Sequence, residues 1–418
     1  MKLPVCLVTT GQPSSNPRAV KEADALTAAG YDVHVIGAHW ADWADETDRD
    51  LLASRPWSCE LVRWRRREAP ASFWAGRIRH RAAQLAAPWP GVGRLALAAA
   101  LTPVTPALAA RARRRPAALF IAHNLGALPA AAAAAARWRA RLAFDAEDFH
   151  SGQFADADRS AAWRATVLAE RAWIPLCDYV TAAAPGIADA YRPLSRRPPV
   201  LIRNVFPLAD RPASRSTATR DGRLRLYWFS QTIGADRGLE DVVGAMGLLG
   251  GDRIDLHLRG VWYGDYRHHL LDGARRAGVP ADRVVSHPPA PPQDMVRHAA
   301  AFDIGLALET GRTRNSDVLQ SNKAFAYLAA GTPLLTSDTA GHLELLAAAP
   351  GSGWSYPKGN QRALADLLAG LDADRAIVSH AADQAWSWTE RRLNWDVEQV
   401  RFLQEVDRVT GGARRGAA

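Results

Sequence analysis

The opening of the chain constrains its fold more than any other stretch. An apolar run, "VCLVTT", gives way to the turn residues "GQPSSN", then to Pro17 at a helix start. A helical period follows as far as Gly30, and "YDVHVIG" is apolar again. Strand, helix and strand in that order imply a parallel pair, because parallel strands need a crossover connection. In such a sheet ligands gather outside the carboxyl ends of the strands. "AALFIAHNLG", "LAFDAEDF" and "DYVTAAA" continue the alternation, and "PPVLIRNVFP" closes it.

A polar stretch rich in Pro, Ser and Thr then reads as a linker, and a second alternating unit follows. Its strands are "LRLYWFS", "IDLHLRG", "RVVSHPP", "DIGLAL" and "TPLLTS". The expected organisation is an N-terminal α/β domain (1–207), a linker (208–222) and a second α/β domain (223–392). A single amphipathic helix over 393–410 would return to the first domain, and 411–418 would be a tail. Two doubly wound domains facing a central cleft are the expectation, with room for two substrates to meet.

The net charge of +9 is concentrated in one place. Residues 55–115 hold thirteen arginines against Glu60 and Glu68, with Trp57, Trp64, Phe73, Trp74 and Trp89 interleaved. Rings that settle at headgroup depth beside cations suit an anionic membrane surface. A nucleic-acid surface and a plain solvated face are the alternatives. The N-terminal apolar run is too short for a secretory signal, and "RLALAAALTPVTPALAA" is broken by Pro103 and Pro106. Cys6, Cys59 and Cys177 form neither a disulfide nor a metal-ligand spacing. The expectation is a cytoplasmic protein, peripheral on the inner face of the cell membrane.

Simple nucleotide, zinc and serine-hydrolase fingerprints are absent. A subtler signal lies in "LQSNKAFAYLAAGTPLL", which holds one of only four lysines beside 48 arginines. Ser321 reads as an N-cap, Gly331 as the helix stop, and Phe325, Leu328 and Ala329 as the buried face. Lys323 in the first turn opposes the helix dipole unless an anion offsets it, and free N–H groups there suit a phosphate. In "FSQTIGADRGLEDVV", Gly234 and Arg237 lie in a strand–loop–helix turn that also suits a phosphate, or is an ordinary βα loop.

Taken together, "SQTIGADRGLEDVVGAM", "HPPAPPQDMVRHAAAFDIGLALE" and "SNKAFAYLAAGTPLLTSDTAGHLELL" resemble the glycosyltransferase family 4-like enzymes in order. "NPRAVKEADALTAAGYDVHVI" and "FDAEDFH" are similar to that family's first domain. The resemblance implies a GT-B fold of two Rossmann-like domains, with a sugar nucleotide (UDP- or GDP-linked) as donor substrate and no separate cofactor or metal. It implies that Arg237, Ser321, Asn322 and Lys323 hold the donor diphosphate. Glu309, His287, Gly341 and Gly234 would lie about the donor sugar or nucleoside. The family's paired glutamates, separated by seven residues, would fall at Val318 and Ala326, neither of which is acidic. That departure puts the ribose contact and a retaining mechanism in question.

An inverting enzyme needs a base for the acceptor hydroxyl. "DAEDFH" offers Asp148 first, then Glu147 and His150, with a solvated loop as the alternative. Asn16 and Arg18 are acceptor-side candidates together with Asp145, although Arg18 also reads as a helix-surface charge and Asp145 as a loop cap. The expected partners are a nucleotide-sugar, a glycan or lipid-linked acceptor and an anionic membrane, with polysaccharide biosynthesis in a bacterium as the setting and no nucleic acid. Two rival readings are a non-hydrolysing sugar-nucleotide epimerase and a non-enzymatic arginine-rich nucleic-acid-binding protein.

Overall fold

The computed structural model describes residues 2–87, 89, 91–214 and 222–411. Residues 215–221 of the expected linker and 412–418 of the expected tail therefore lie outside the described residues. The chain divides into two compact units. One comprises Met1–Arg203, Thr313–Asn315 and Gln399–Ala418; the other comprises Asn204–Arg312 and Ser316–Glu398.

The N-terminal unit is built on seven parallel strands: β1 (Pro4–Thr9), β2 (Asp32–His39), β3 (Ser58–Arg63), β4 (Leu119–His123), β5 (Arg141–Ala146), β6 (Tyr179–Ala182) and β7 (Val200–Leu201). Their order is β3-β2-β1-β4-β5-β6-β7. The winding reverses between β1 and β4, where Thr9 stands beside His123. A doubly wound sheet opens its crevice at such a reversal. Both strands are buried along nearly their whole length, which accounts for their unbroken apolar runs.

The second unit has β8 (Leu224–Ile233), β9 (Ile254–Trp262), β10 (Val284–His287), β11 (Ile304–Ala307), β12 (Leu334–Ser337) and β13 (Gly353–Tyr356). They are ordered β10-β9-β8-β11-β12-β13, all parallel, with the reversal between β8 and β11. Leu226, Trp228, Leu256, Leu258 and Leu306 meet Val242, Met246 and Leu368 from the flanking helices in the core.

Four elements depart from the sequence reading. β3 lies inside the arginine-rich segment, whose charges mask a short edge strand. β13 was hidden because it is only four residues long and half-exposed. β8 does not end at Ser230 but continues to Ile233 after an irregularity at Phe229/Thr232. The expected helix over 393–410 is present as Trp395–Thr410, and a separate helix that the sequence reading did not name, Arg375–Arg391, precedes it. Asn394 makes the break: its amide donates to the Thr389 carbonyl at 2.7 Å, and its carbonyl oxygen accepts from the Val397 N–H at 2.9 Å.

Among the described residues no single helix is long and apolar enough to cross a membrane. The alanine-rich stretch forms two helices, Arg94–Leu101 and Thr105–Ala112, bent by 115°. Leu97, Ala100 and Leu108 are buried in the N-terminal unit.

Candidate functional site

At the β8/β11 reversal the second unit gathers several charges. β11 is followed by Leu308 and Glu309. Lys323, in the first turn of the Asn322–Ala330 helix, places Nζ 3.3 Å from Glu309 Oε1, with both side chains 13% exposed. The same Nζ lies 5.6 Å from the centre of the buried Trp228 ring. Burial pushes the Glu309 carboxyl up, yet Lys323, His342 and Arg237 together hold it below its ordinary value. Glu309 is therefore an anion that senses both cations of the expected diphosphate seat. It also supplies the counter-charge that Lys323 needs at a helix N-terminus.

The helix begins and ends where its sequence indicates. Ser321 has extended backbone and Gly331 is left-handed at φ 71°. Two details differ. Ala324 to Ala330 are all buried, so the helix has no solvent face beyond its first turn. Ser321 Oγ does not cap the helix; it lies 3.4 Å from His342 Nε2, whose Nδ1 is 3.0 Å from Thr339 Oγ1. The first-turn amides thus lack a side-chain cap. Asn322 is exposed beside them.

Gly341 has a packing role. A Cβ there would stand 2.2 Å from the Leu319 carbonyl oxygen and 2.5 Å from that of Val318. The missing side chain lets the Ala340–Ala348 helix press on the segment leading into Ser321. Gly234 is unlike it, because a Cβ would meet only Tyr263 at 3.6 Å, an ordinary contact. Gly238 is the glycine that this loop requires: φ is 70°, and a Cβ would lie 2.8 Å from the Leu308 oxygen. It allows the Leu239–Leu248 helix to start against the end of β11, and it leaves Arg237 half-buried at that edge.

His287 ends β10 and stands 3.0 Å, Nε2 to Nδ1, from His257 on β9. Burial, Arg259 and His298 all hold it below its ordinary pKa, so it is neutral at pH 7. His342 and Gln320 escaped the sequence reading. His342 is fully buried, and burial pushes it down to about 4. Gln320 is buried with its amide donating to the Gly341 carbonyl at 3.3 Å, while Oε1 has no hydrogen-bond donor among the described residues. Ala326, where the family's second glutamate would fall, is fully buried.

The N-terminal unit carries a second cluster at its own β1/β4 reversal, and here several expectations are corrected. Arg18 is neither a surface charge nor open to an acceptor, being 0% exposed. Its Nε and Nη2 donate to the two oxygens of Asp145 at 2.6 and 2.7 Å, and Nη1 donates to the Ile202 carbonyl. Asp145 is likewise enclosed, so its role is to bind Arg18 and accept from Thr181. Asn16 is buried as the N-cap of the Pro17–Ala28 helix, with Oδ1 accepting from the Ala19 N–H at 3.1 Å.

His123, at the end of β4, is the residue missed here. Nε2 lies 3.1 Å from Glu22 and Nδ1 lies 3.3 Å from Asp145 and 3.7 Å from Glu147. Burial pulls its pKa down, but these carboxylates raise it well above the ordinary value, so the ring is a cation at neutral pH. Its strand-end position at a sheet reversal was the available signal. Glu22, His123 and Asp145 could also present ligand atoms to a metal, lying within 4.8 Å of one another. Arg18 already occupies both oxygens of Asp145, so a side-chain cation fills that position.

Of the base candidates, His150 is committed. Its Nε2 accepts the Leu125 N–H at 3.1 Å, and burial lowers its pKa despite Asp148 and Glu147. Asp148 Oδ1 accepts from Asn315 Nδ2 at 2.8 Å, and Asn315 Oδ1 accepts from the Phe149 N–H. Glu147, 28% exposed and beside His123, is the less engaged of the two carboxylates.

No protein-family model and no curated protein matches the sequence. Solved structures do match it along nearly its whole length. A sucrose-phosphate synthase from Thermosynechococcus elongatus superposes with a TM-score of 0.72 at 17% identity, covering 99% of this chain and 100% of that one. Anabaena HepE in complex with UDP-glucose gives 0.69 at 15% identity, covering 97% and 100%. A glycosyltransferase from Rickettsia africae gives 0.66 at 9%, covering 98% of each. The chain has the GT-B fold. The charged clusters described above sit at the reversals of its two sheets.

Proposed function

We propose that this GT-B protein transfers a sugar from a nucleotide-diphosphate donor to a lipid-linked or polysaccharide-precursor acceptor at an anionic membrane surface. The observation that carries the reading is the Glu309–Lys323 pair at the uncapped start of the Asn322–Ala330 helix, with Arg237 acting on the same carboxylate. Departure of a diphosphate develops negative charge. Fixed cations and amide dipoles stabilise that charge without reorganising at the moment of reaction. In this reading Lys323 and Arg237 are the counter-cations of the leaving group. HepE has been solved with UDP-glucose, which makes UDP-sugars the first donors to test. On the acceptor side Glu147 replaces Asp148 as the proposed base for an inverting transfer.

A panel of UDP-, GDP- and dTDP-sugars scored by thermal shift tests the donor. One nucleotide series should stabilise the protein, and Lys323→Ala should abolish that shift; an unchanged shift sinks the proposal.

The membrane part rests on the Pro70–Ala86 helix and the residues after it. Trp74, Ile78 and Leu85 share one helix face and are 46%, 69% and 62% exposed, and Trp89 and Leu95 are 73% and 90% exposed. Arg66, Arg67, Arg77, Arg79 and Arg81 are exposed around them. Each cation near an anionic leaflet contributes about 1 kcal/mol. The protein should float with anionic vesicles, less so when Arg77, Arg79 and Arg81 are replaced by Gln. Failure of the wild type to float removes the membrane from the proposal.

A further inference from the structure

The N-terminal unit holds a cavity of about 880 Å³ that neither charged cluster uses. Thr10, Trp40 and Trp64, which line it, follow directly on β1, β2 and β3, so it opens at the ligand edge of the sheet. Its volume falls in the range of small-molecule sites.

Three aromatic rings form its walls: Trp40, Trp64 and Phe73. Trp64 and Phe73 lie 5.5 Å apart, centre to centre. The Pro70–Ala86 helix holds Trp64 in place from behind, because Gly76 has no side chain where a Cβ would lie 2.1 Å from the indole. The wall is therefore preformed.

Three consecutive arginines line the cavity in two different states. Arg65 is committed, pairing with Asp45, Asp42 and Glu68 and donating to the Ala41 carbonyl at 2.8 Å. Arg66 and Arg67 are exposed, and among the described residues no carboxylate lies within ion-pair distance of either. The Arg66 guanidinium rests 5.4 Å over the Trp74 ring, which keeps its fork at the rim. Flat aromatic faces suit the C–H surface of a pyranose, and two guanidinium groups without a carboxylate partner among the described residues suit phosphate or carboxylate oxygens.

We propose that this cavity binds an anionic sugar, a pyranose bearing a phosphate or carboxylate group. Its ring lies against Trp40, Trp64 and Phe73, and its charge faces Arg66 and Arg67. As the acceptor site the cavity rests on the glycosyltransferase reading; as a binding site it does not. The head of a lipid-linked sugar phosphate and a soluble sugar phosphate share this chemistry, and the exposed Trp74, the residue after Phe73, favours the former.

The test is calorimetric titration of the full chain with glucose 1-phosphate, glucuronate and methyl glucoside. Glucose 1-phosphate and glucuronate should bind at least about tenfold more tightly than the neutral glycoside. R66Q/R67Q should remove that advantage, and W40A should weaken all three ligands. Both sets of side chains are exposed, so the variants fold. Lys323→Met should leave these affinities unchanged, which separates the cavity from the donor seat. A wild type that binds no anionic sugar, or an R66Q/R67Q variant that binds like the wild type, overturns the proposal. UDP is titrated in parallel. A wild type that does not respond to UDP but binds sugar phosphate would sink the glycosyltransferase reading and leave the cavity standing; the reverse would sink the cavity alone. A short-chain polyprenyl phosphoglucose in detergent micelles identifies the source. Tighter binding than glucose 1-phosphate supports the lipid-linked head, and equal binding supports the cavity with a soluble ligand.

Discussion

Replacing Lys323 by Met and Glu309 by Gln, singly and together, separates two roles that one salt bridge can hide. If the lysine exists to neutralise Glu309, the pair is structural. If it exists to meet a diphosphate, Glu309 holds it ready and competes for it. Their 3.3 Å contact is mostly shielded but not fully buried. Removing Lys323 should therefore cost about 2 kcal/mol of stability, below the 3–5 kcal/mol of a fully buried broken pair. A lost charge-assisted hydrogen bond of about 1.5–3 kcal/mol should weaken UDP binding about 10- to 150-fold. Glu309→Gln should instead tighten UDP binding severalfold, since the ammonium no longer shares its charge. The double variant should regain stability in urea unfolding yet still bind UDP as poorly as Lys323→Met in calorimetry. Recovery of UDP affinity in the double variant, or its retention in folded Lys323→Met, would refute the phosphate role.

Gly341→Ala forces a Cβ against two backbone carbonyls and should lower stability by about 1–3 kcal/mol. It should also abolish the UDP response by shifting Ser321; an unaltered thermal midpoint contradicts the packing role. Arg18→Met strands Asp145 and Glu22 without their guanidinium, and a cost of about 3–5 kcal/mol is expected in urea unfolding. For His342, the folded value near 4 lies below the unfolded value near 6.5. Its contribution is thus complete above the unfolded value and is lost as pH falls towards the folded one. Between pH 7 and pH 5 that loss is about 2 kcal/mol. His342→Gln should flatten this slope in urea titrations, and an identical slope refutes the assignment.

The sequence by itself determined the local and periodic features. Alternating apolar runs and helical stretches specified two parallel, doubly wound units, because buried parallel strands leave continuous apolar signatures. Asn322–Ala330 was legible for the same reason: Ser321 precedes it, and Gly331 can adopt the left-handed turn that ends it. Segments dense in charge or only a few residues long, such as β3 and β13, gave no periodic signal.

Tertiary structure alone decided which charges were partners. Arg18 and Asp145 are separated by 127 residues, and nothing local to either shows that each is the other's burial companion. His123 looked like one more strand residue until the sheet reversal set it among three carboxylates. His342 acquires its role only because Gly341 lets two segments touch. Burial and ion pairing are properties of distant chain segments brought together, and a side chain's chemistry changes with both. For Lys323 the sequence supplied the unfavourable position at a helix start, while the fold supplied Glu309, the carboxylate that holds it there.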